Sequence, residues 1–171
     1  LGGALASPLL WADITIRRRR PRAESRRSTT PVDIRILDVT DVDEEFDGLW
    51  SRKLKERKRL LALRTGETLR WHFDRSGTGD GVKVLCGRRS GRLIGYAIIA
   101  SEHSVEIDLV RTRIVDIFVE KDEPEIVDRL LLAAHDYAAG DGSYVLNVRG
   151  FPKSIRERFL VGKPYSRQLP A

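Results

Sequence analysis

The chain of 171 residues contains no methionine and a single cysteine, Cys86. One cysteine excludes an intrachain disulfide and a cysteine-based metal site, and a reducing compartment such as the cytoplasm is the default setting. The absence of methionine, even at position 1, reads as a fragment or processed piece of a longer protein. No apolar run approaches the length of a membrane span. His72, His103 and His135 lack ligand-like spacing, so no metal site is expected. Net charge is also missing from most of the chain. The net charge is +6, and the seven arginines and one glutamate between Arg17 and Arg27 account for all of it. The remainder is neutral, which argues against a nucleic-acid-binding domain; the arm reads as a solvated linker, with an electrostatic contact to nucleic acid or acidic lipid as the alternative.

The residues present are those of a globular domain: 41% hydrophobic and 33% charged. Residues 1–31 read as the end of a preceding domain or an arginine-rich linker, and residues 32–171 as one domain. A signal peptide is excluded by order, because the arginines follow the apolar segment instead of preceding it.

The stretch from Arg111 to Gly140 is the organising one. Ile114–Val119 is an apolar, β-branched run interrupted by Asp116 and predicts a strand at the centre of a sheet. Asp122, Pro124 and Glu125 carry a helix-start signature, with Asp122 as the acidic cap. Val127, Leu130, Leu131, Ala134 and Ala138 follow at helical spacing, and Gly140 is the expected stop.

Earlier in the chain, Val32–Leu37 alternates as a strand. Asp41–Arg59 predicts a helix with Phe46, Leu49, Trp50 and Leu54 on one face, and Leu60–Phe73 a second helical piece. Ser76–Gly81 predicts a flexible turn. Val82–Cys86 and Leu93–Ala100 predict two strands joined at Gly87–Gly91, with Gly95 permitting close packing or a bulge. Ser104–Leu109 reads as a strand or loop. Tyr144–Val148 predicts a strand, Lys153–Leu160 a short helix, and Gly162 onward an extended edge. This order gives an α+β class with a mixed sheet, in which Ile114–Val148 forms a parallel crossover.

Leu69-Arg70-Trp71-His72-Phe73, the strand Leu93–Ile99 (LIGYAII), the strand RIVDIFV and Arg158-Phe159-Leu160-Val161-Gly162 together resemble a GNAT-type N-acyltransferase domain. The similarity extends over roughly Val32–Leu169. It is greatest to bacterial GNAT proteins with a Leu-Arg-Trp motif, some of which carry two such lobes. The resemblance implies a layered α/β/α fold with a mixed sheet that splays beside the strand Ile114–Val119. It also implies acetyl-coenzyme A or another acyl-coenzyme A as co-substrate, with no metal. The acyl group passes to an amine of a small molecule or sugar. A second GNAT-like lobe elsewhere in a longer chain is implied as partner.

On that resemblance, the backbone of Ile117, Phe118 and Val119 pairs with the pantetheine arm, and Lys121 and Arg129 are the cations nearest the pyrophosphate. Asp116, the one carboxylate inside the apolar strand, is the candidate base for the amine. The alternative is that it faces a polar edge or pairs with Arg111 or Arg113. The family's acid is often a tyrosine near the last helix. Arg158–Gly162 has none, which leaves Tyr165, otherwise an edge aromatic. Trp71 and His72 are candidate acceptor contacts, with core packing as the alternative for Trp71 and packing or capping for His72. Cys86 reads as a buried hydrophobe.

The phosphate loop departs from the family pattern of Arg or Gln, two residues, Gly, one residue, then Gly or Ala. This chain has Glu120-Lys121-Asp122-Glu123-Pro124-Glu125-Ile126. It has no glycine there, and carboxylates crowd the positive end of the helix. The expectation therefore divides between an acyltransferase and a catalytically silent GNAT-like lobe that supports a partner domain or binds a ligand.

Overall fold

A computed structural model describes residues 31–58, 60–74, 81–148 and 150–161. Its elements are β1 (Asp33–Asp38), α1 (Glu45–Glu56), α2 (Gly66–Asp74), β2 (Val82–Arg89), β3 (Arg92–Ser104), β4 (Leu109–Val119), α3 (Pro124–Gly140), β5 (Val145–Asn147) and α4 (Lys153–Val161). Residues 1–30, the segment 75–80 and everything after Val161 lie outside the described residues. The arginine arm, the Ser76–Gly81 turn, the terminal edge and Tyr165 fall there.

The sheet runs β1-β2-β3-β4-β5, in chain order. The first three pairings are antiparallel and the last, β4 with β5, is parallel. The expected mixed α+β sheet is therefore present. β4, however, is fourth of five strands, so β3 is the middle one. β2 and β3 are longer than their apolar runs and meet at Ser90–Gly91, not across Gly87–Gly91. Positive φ angles of 51° and 79° there mark a two-residue hairpin turn.

Helices cover both faces. Phe46 and Leu49 of α1 and Leu69 of α2 pack on Val84, Cys86, Tyr96, Ile98 and Phe118. On the other face Ile126, Val127, Leu130, Leu131 and Ala134 of α3 pack on Leu85, Ile94, Ala97, Ile99, Ile114 and Val119, with Phe151 and Ile155 alongside. The apolar face read for α3 is thus buried as expected. That of α1 is shifted: Lys53 is buried and Leu54 is exposed, because Lys53 stands four residues after Leu49 and reaches an acceptor cluster beneath the sheet edge.

Helix ends also differ from expectation. Leu60–Thr65 is not helical, and Thr65 caps α2 by accepting from the Thr68 amide at 3.3 Å. Asp122 lies in a 3-10 turn, Glu120–Asp122, and the residue before α3 is Glu123, with no side-chain cap bond. Pro124 does open the helix. Gly140 remains helical, and the left-handed residue that ends the segment is Gly142, with φ 75°.

Two irregularities shape the strands. Gly87 faces Gly95 and Arg88 faces Leu93, so Ile94 is an extra residue in β3. Ile98 faces Asp116 and Ile99 faces Ile114, so Val115 is an extra residue in β4. Gly95 sits beside the first bulge. A Cβ there would lie 3.0 Å from Val119 Cγ2, 3.1 Å from the Phe118 carbonyl oxygen and 3.2 Å from Ile126 Cγ2. Gly95→Ala is expected to lower the unfolding free energy by about 1–3 kcal/mol through overpacking. A denaturant midpoint equal to or above that of the parent would show that α3 gives way instead. Cys86 is fully buried, and burial raises its thiol to about 12. It is therefore protonated and unreactive at neutral pH, as read.

Candidate active site

Beyond the bulge, β4 changes character. β5 pairs only with Arg111, Thr112 and Arg113. From Ile114 to Val119 the strand keeps β3 on one side, and among the described residues no strand pairs with its other side. Backbone amides and carbonyls on that side are available to an extended ligand.

The bulge also decides where Asp116 points. Simple alternation would put Asp116 on the face of Ile114, in the α3 core. The extra residue breaks the alternation: Ile114, Ile117 and Val119 pack toward α3, while Val115 and Phe118 pack toward α1 and α2. Asp116 joins the second group and meets Tyr96 there.

Neither Arg111 nor Arg113 pairs with Asp116. Arg64, in the loop before α2, takes both carboxylate oxygens, with Nε to Oδ2 at 2.8 Å and Nη2 to Oδ1 at 3.2 Å. Its guanidinium lies over the Phe118 ring, 5.1 Å from the centroid. The hydrogen bond to Asp116 raises its pKa further. The Tyr96 hydroxyl donates to Asp116 Oδ2 at 3.2 Å. Burial, then the Asp116 charge, pushes that phenol well above its ordinary range, so it stays a donor. A carboxylate has about four acceptor positions. Three are used, which leaves one for an incoming amine or a water. The pair is mostly buried but retains a solvent side, with the Asp116 side chain 17% exposed.

The turn after β4 is built from charge. Glu120 accepts from Arg52 at 3.1 Å and lies 3.5 Å from Arg92. Asp122 meets Lys53 at 2.6 Å and Arg57 at 3.7 Å. Glu123 meets Arg89 at 3.0 Å. The carboxylates that crowd the helix start in sequence are thus matched by cations from α1 and from the β2–β3 hairpin. A cavity of about 400 Å³ lies against this turn, lined by Arg89, Arg92, Ile94, Glu120, Lys121 and Glu123 among others. Lys53, 3% exposed, also donates to the Val119 carbonyl at 2.5 Å. Lys121 and Asp122 both hold positive φ, 57° and 51°, a conformation that favours glycine.

No family model matches the chain, and no curated protein matches it. Solved structures do. The chain is similar to a ribosomal-protein-alanine N-acetyltransferase from Brucella melitensis biovar Abortus 2308, at 20% identity and a TM-score of 0.57, covering 82% of this chain and 96% of that one. It is similar to glucosamine-6-phosphate N-acetyltransferase from Arabidopsis thaliana, at 13% identity and TM-score 0.58, covering 82% and 96%. It is also similar to the aminoglycoside N-acetyltransferase AAC(6')-Iy, solved in complex with CoA, at 15% identity and TM-score 0.55, covering 86% and 95%.

The fold is that of the GNAT acetyltransferases.

Within this GNAT fold the candidate residues are unevenly gathered. Asp116, Ile117, Phe118 and Val119 share the half-paired segment of β4. Lys121 is exposed in the following turn, and Arg129 lies one helical turn into α3, its Nε buried without a hydrogen-bond partner among the described residues. Trp71 is not core: it is 58% exposed on α2. His72 is exposed beside it, its ring 4.7 Å from that of Phe73 and at right angles to it. Among the described residues no group of His, Cys, Asp and Glu is arranged to hold a metal, and no helix is long and apolar enough to cross a membrane.

Arg64, Tyr96, Lys53 and Glu56 escaped the sequence reading. Two of them left a signal. Tyr96 is a hydroxyl in an otherwise apolar strand and had to find a partner. Lys53 occupies an apolar position in the helical spacing of Phe46 and Leu49. Arg64 left none, since nothing in a loop announces a partner 52 residues later.

Proposed function

We propose that this domain is an N-acyltransferase that moves an acetyl or other acyl group from acyl-coenzyme A to an amine of a small molecule or sugar. The observation that carries the reading is the half-paired segment of β4, Ile114–Val119, with one solvent-facing carboxylate at its start. An extended pantetheine arm runs along the side of Ile117, Phe118 and Val119 that no described strand pairs, as a neighbouring strand would, with the Val119 carbonyl already held by Lys53. Asp116 takes the amine proton through its remaining acceptor position, directly or by way of water. The neutral nitrogen forms the new N–C bond, the C–S bond breaks, and the leaving thiolate takes a proton. Tyr165 is the candidate to supply that proton. Lys121 and Arg129 lie on the phosphate side, and the exposed Trp71 and His72 on the acceptor side. In a longer chain a second GNAT-like lobe would be the partner.

One observation favours a second reading, the catalytically silent lobe. The carboxylates of the turn Glu120–Glu123 are already held by cations from α1 and the β2–β3 hairpin. Calorimetric titration of the full chain with acetyl-coenzyme A separates the two. The enzyme reading expects saturable heat and a rise in melting temperature at submillimolar ligand. No heat and no stabilisation at millimolar ligand would leave the silent lobe.

A further inference from the structure

The turn between β4 and α3 holds a carboxylate that does not belong to it. Glu56 is the last residue of α1, and its Oε1 accepts from the Lys121 backbone amide at 2.5 Å. Its other oxygen, Oε2, meets Lys53 Nζ at 3.1 Å. One carboxylate therefore bridges a backbone N–H and a buried ammonium. The amide it caps belongs to the first of two consecutive residues with positive φ, and such a turn presents its N–H groups to an anion. The contact joins the end of α1 to a turn 65 residues later in sequence. Two further cations face the same turn, Arg89 and Arg92, and the buried Arg89 Nε has no hydrogen-bond partner among the described residues.

We infer that the Glu56 carboxylate is a built-in anion that holds this turn closed, and that a phosphate-bearing ligand binds there only by displacing it. The inference deepens the acyltransferase reading, since it rests on the turn being where the donor's pyrophosphate sits. Glu56 and a phosphate oxygen offer the same chemistry to the Lys121 amide and Lys53, so the two compete for one position. Displacement takes a side-chain rotation at the end of a helix that gives up the Lys121 amide and the Lys53 ammonium, and the Glu56 side chain is 17% exposed. Donor affinity is thereby set by a residue outside the turn.

The test is calorimetric titration of the full chain with inorganic pyrophosphate, comparing the parent with Glu56→Ala, Glu56→Gln and Glu123→Ala. Glu56→Ala is expected to bind at least tenfold more tightly than the parent. Glu56→Gln, which keeps the side-chain bulk should the alanine variant fold poorly, is expected to gain at least threefold. Glu123→Ala removes the same charge from the same neighbourhood without vacating the Lys121 amide, and is expected to gain less than threefold. Equal gains in the Glu56 and Glu123 variants would reduce the effect to net charge and overturn the inference. So would parent-like affinity, or no binding, in both Glu56 variants. The acyltransferase reading fails separately: tighter pyrophosphate binding in Glu56→Ala with no acetyl-coenzyme A turnover by any variant leaves the Glu56 contact standing and removes the enzyme.

Discussion

Asp116→Asn is expected to lower turnover by about 100- to 10,000-fold, the usual range for a lost general base, while affinity for acetyl-coenzyme A changes less than twofold. The substitution keeps the shape of the side chain and one acceptor oxygen, so the donor side, formed by backbone at Ile117–Val119, is undisturbed. It also weakens the Arg64 fork, which binds both oxygens of the native carboxylate. A stability loss of about 2 kcal/mol is expected from the weakened charge-assisted bonds, less than for a fully buried pair because both partners keep some solvent contact. The two readouts separate the two roles. Single-turnover rates and denaturant midpoints on the same protein would show a base as a rate collapse far larger than the stability loss explains. Parent-like turnover with the same stability loss would leave Asp116 as an anchor for Arg64 and Tyr96 alone.

Lys53→Ala carries the largest expected cost to stability, about 3 kcal/mol, by removing a buried charge from its partners. The ammonium holds the Val119 carbonyl, Asp122 and Glu56 at once. Without it the Val119 carbonyl loses a donor at the end of β4, and two carboxylates face each other across the vacated space. The cost stays below that of a wholly buried network because Asp122 is 62% exposed and water can take over on that side. Lys53→Met retains the packing of the stem beneath Phe118 and isolates the ammonium's share. Urea or guanidinium unfolding of the two variants measures both parts. A loss under about 1 kcal/mol in Lys53→Ala would mean that solvent already screens these contacts.

Much of the architecture was legible because it rests on local patterns. The apolar spacing of α3 is strict enough to fix its buried face, and Pro124 marks its start. The β-branched run Ile114–Val119 identified β4, and the order of elements identified the mixed sheet. What failed was whatever depends on tertiary context. Asp122 looks like a cap by position, but the turn before α3 twists it away from that role and hands it to Lys53. Trp71 looks like core by size, yet α2 buries Leu69 and turns Trp71 outward. The partner of Asp116 was sought among nearby arginines on the same strand. A bulge turned the carboxylate to the α1–α2 face, where Tyr96 of β3 and Arg64 of a distant loop reach it. A bulge is invisible to a reading that assumes strict alternation. The carboxylates of the Glu120–Glu123 turn were legible as charge, but their cations come from three other elements.

The thin pairing of β5 with β4 has a consequence for the order of assembly. Every strand neighbours the one before it in the chain, so β2, β3 and β4 can zip together through short closures. β1 and β5 each close over an intervening helical segment, and among the described residues β5 then pairs with β4 only at Arg111–Arg113. With the shortest ladder in the sheet, β5 is expected to open first, which amide hydrogen exchange would show as the least protected strand. The unpaired side of Ile114–Val119 begins where that short ladder ends. The open edge of β4 is thus bordered by the part of the sheet with the fewest strand pairings, whereas β1 to β4 are joined by longer ladders.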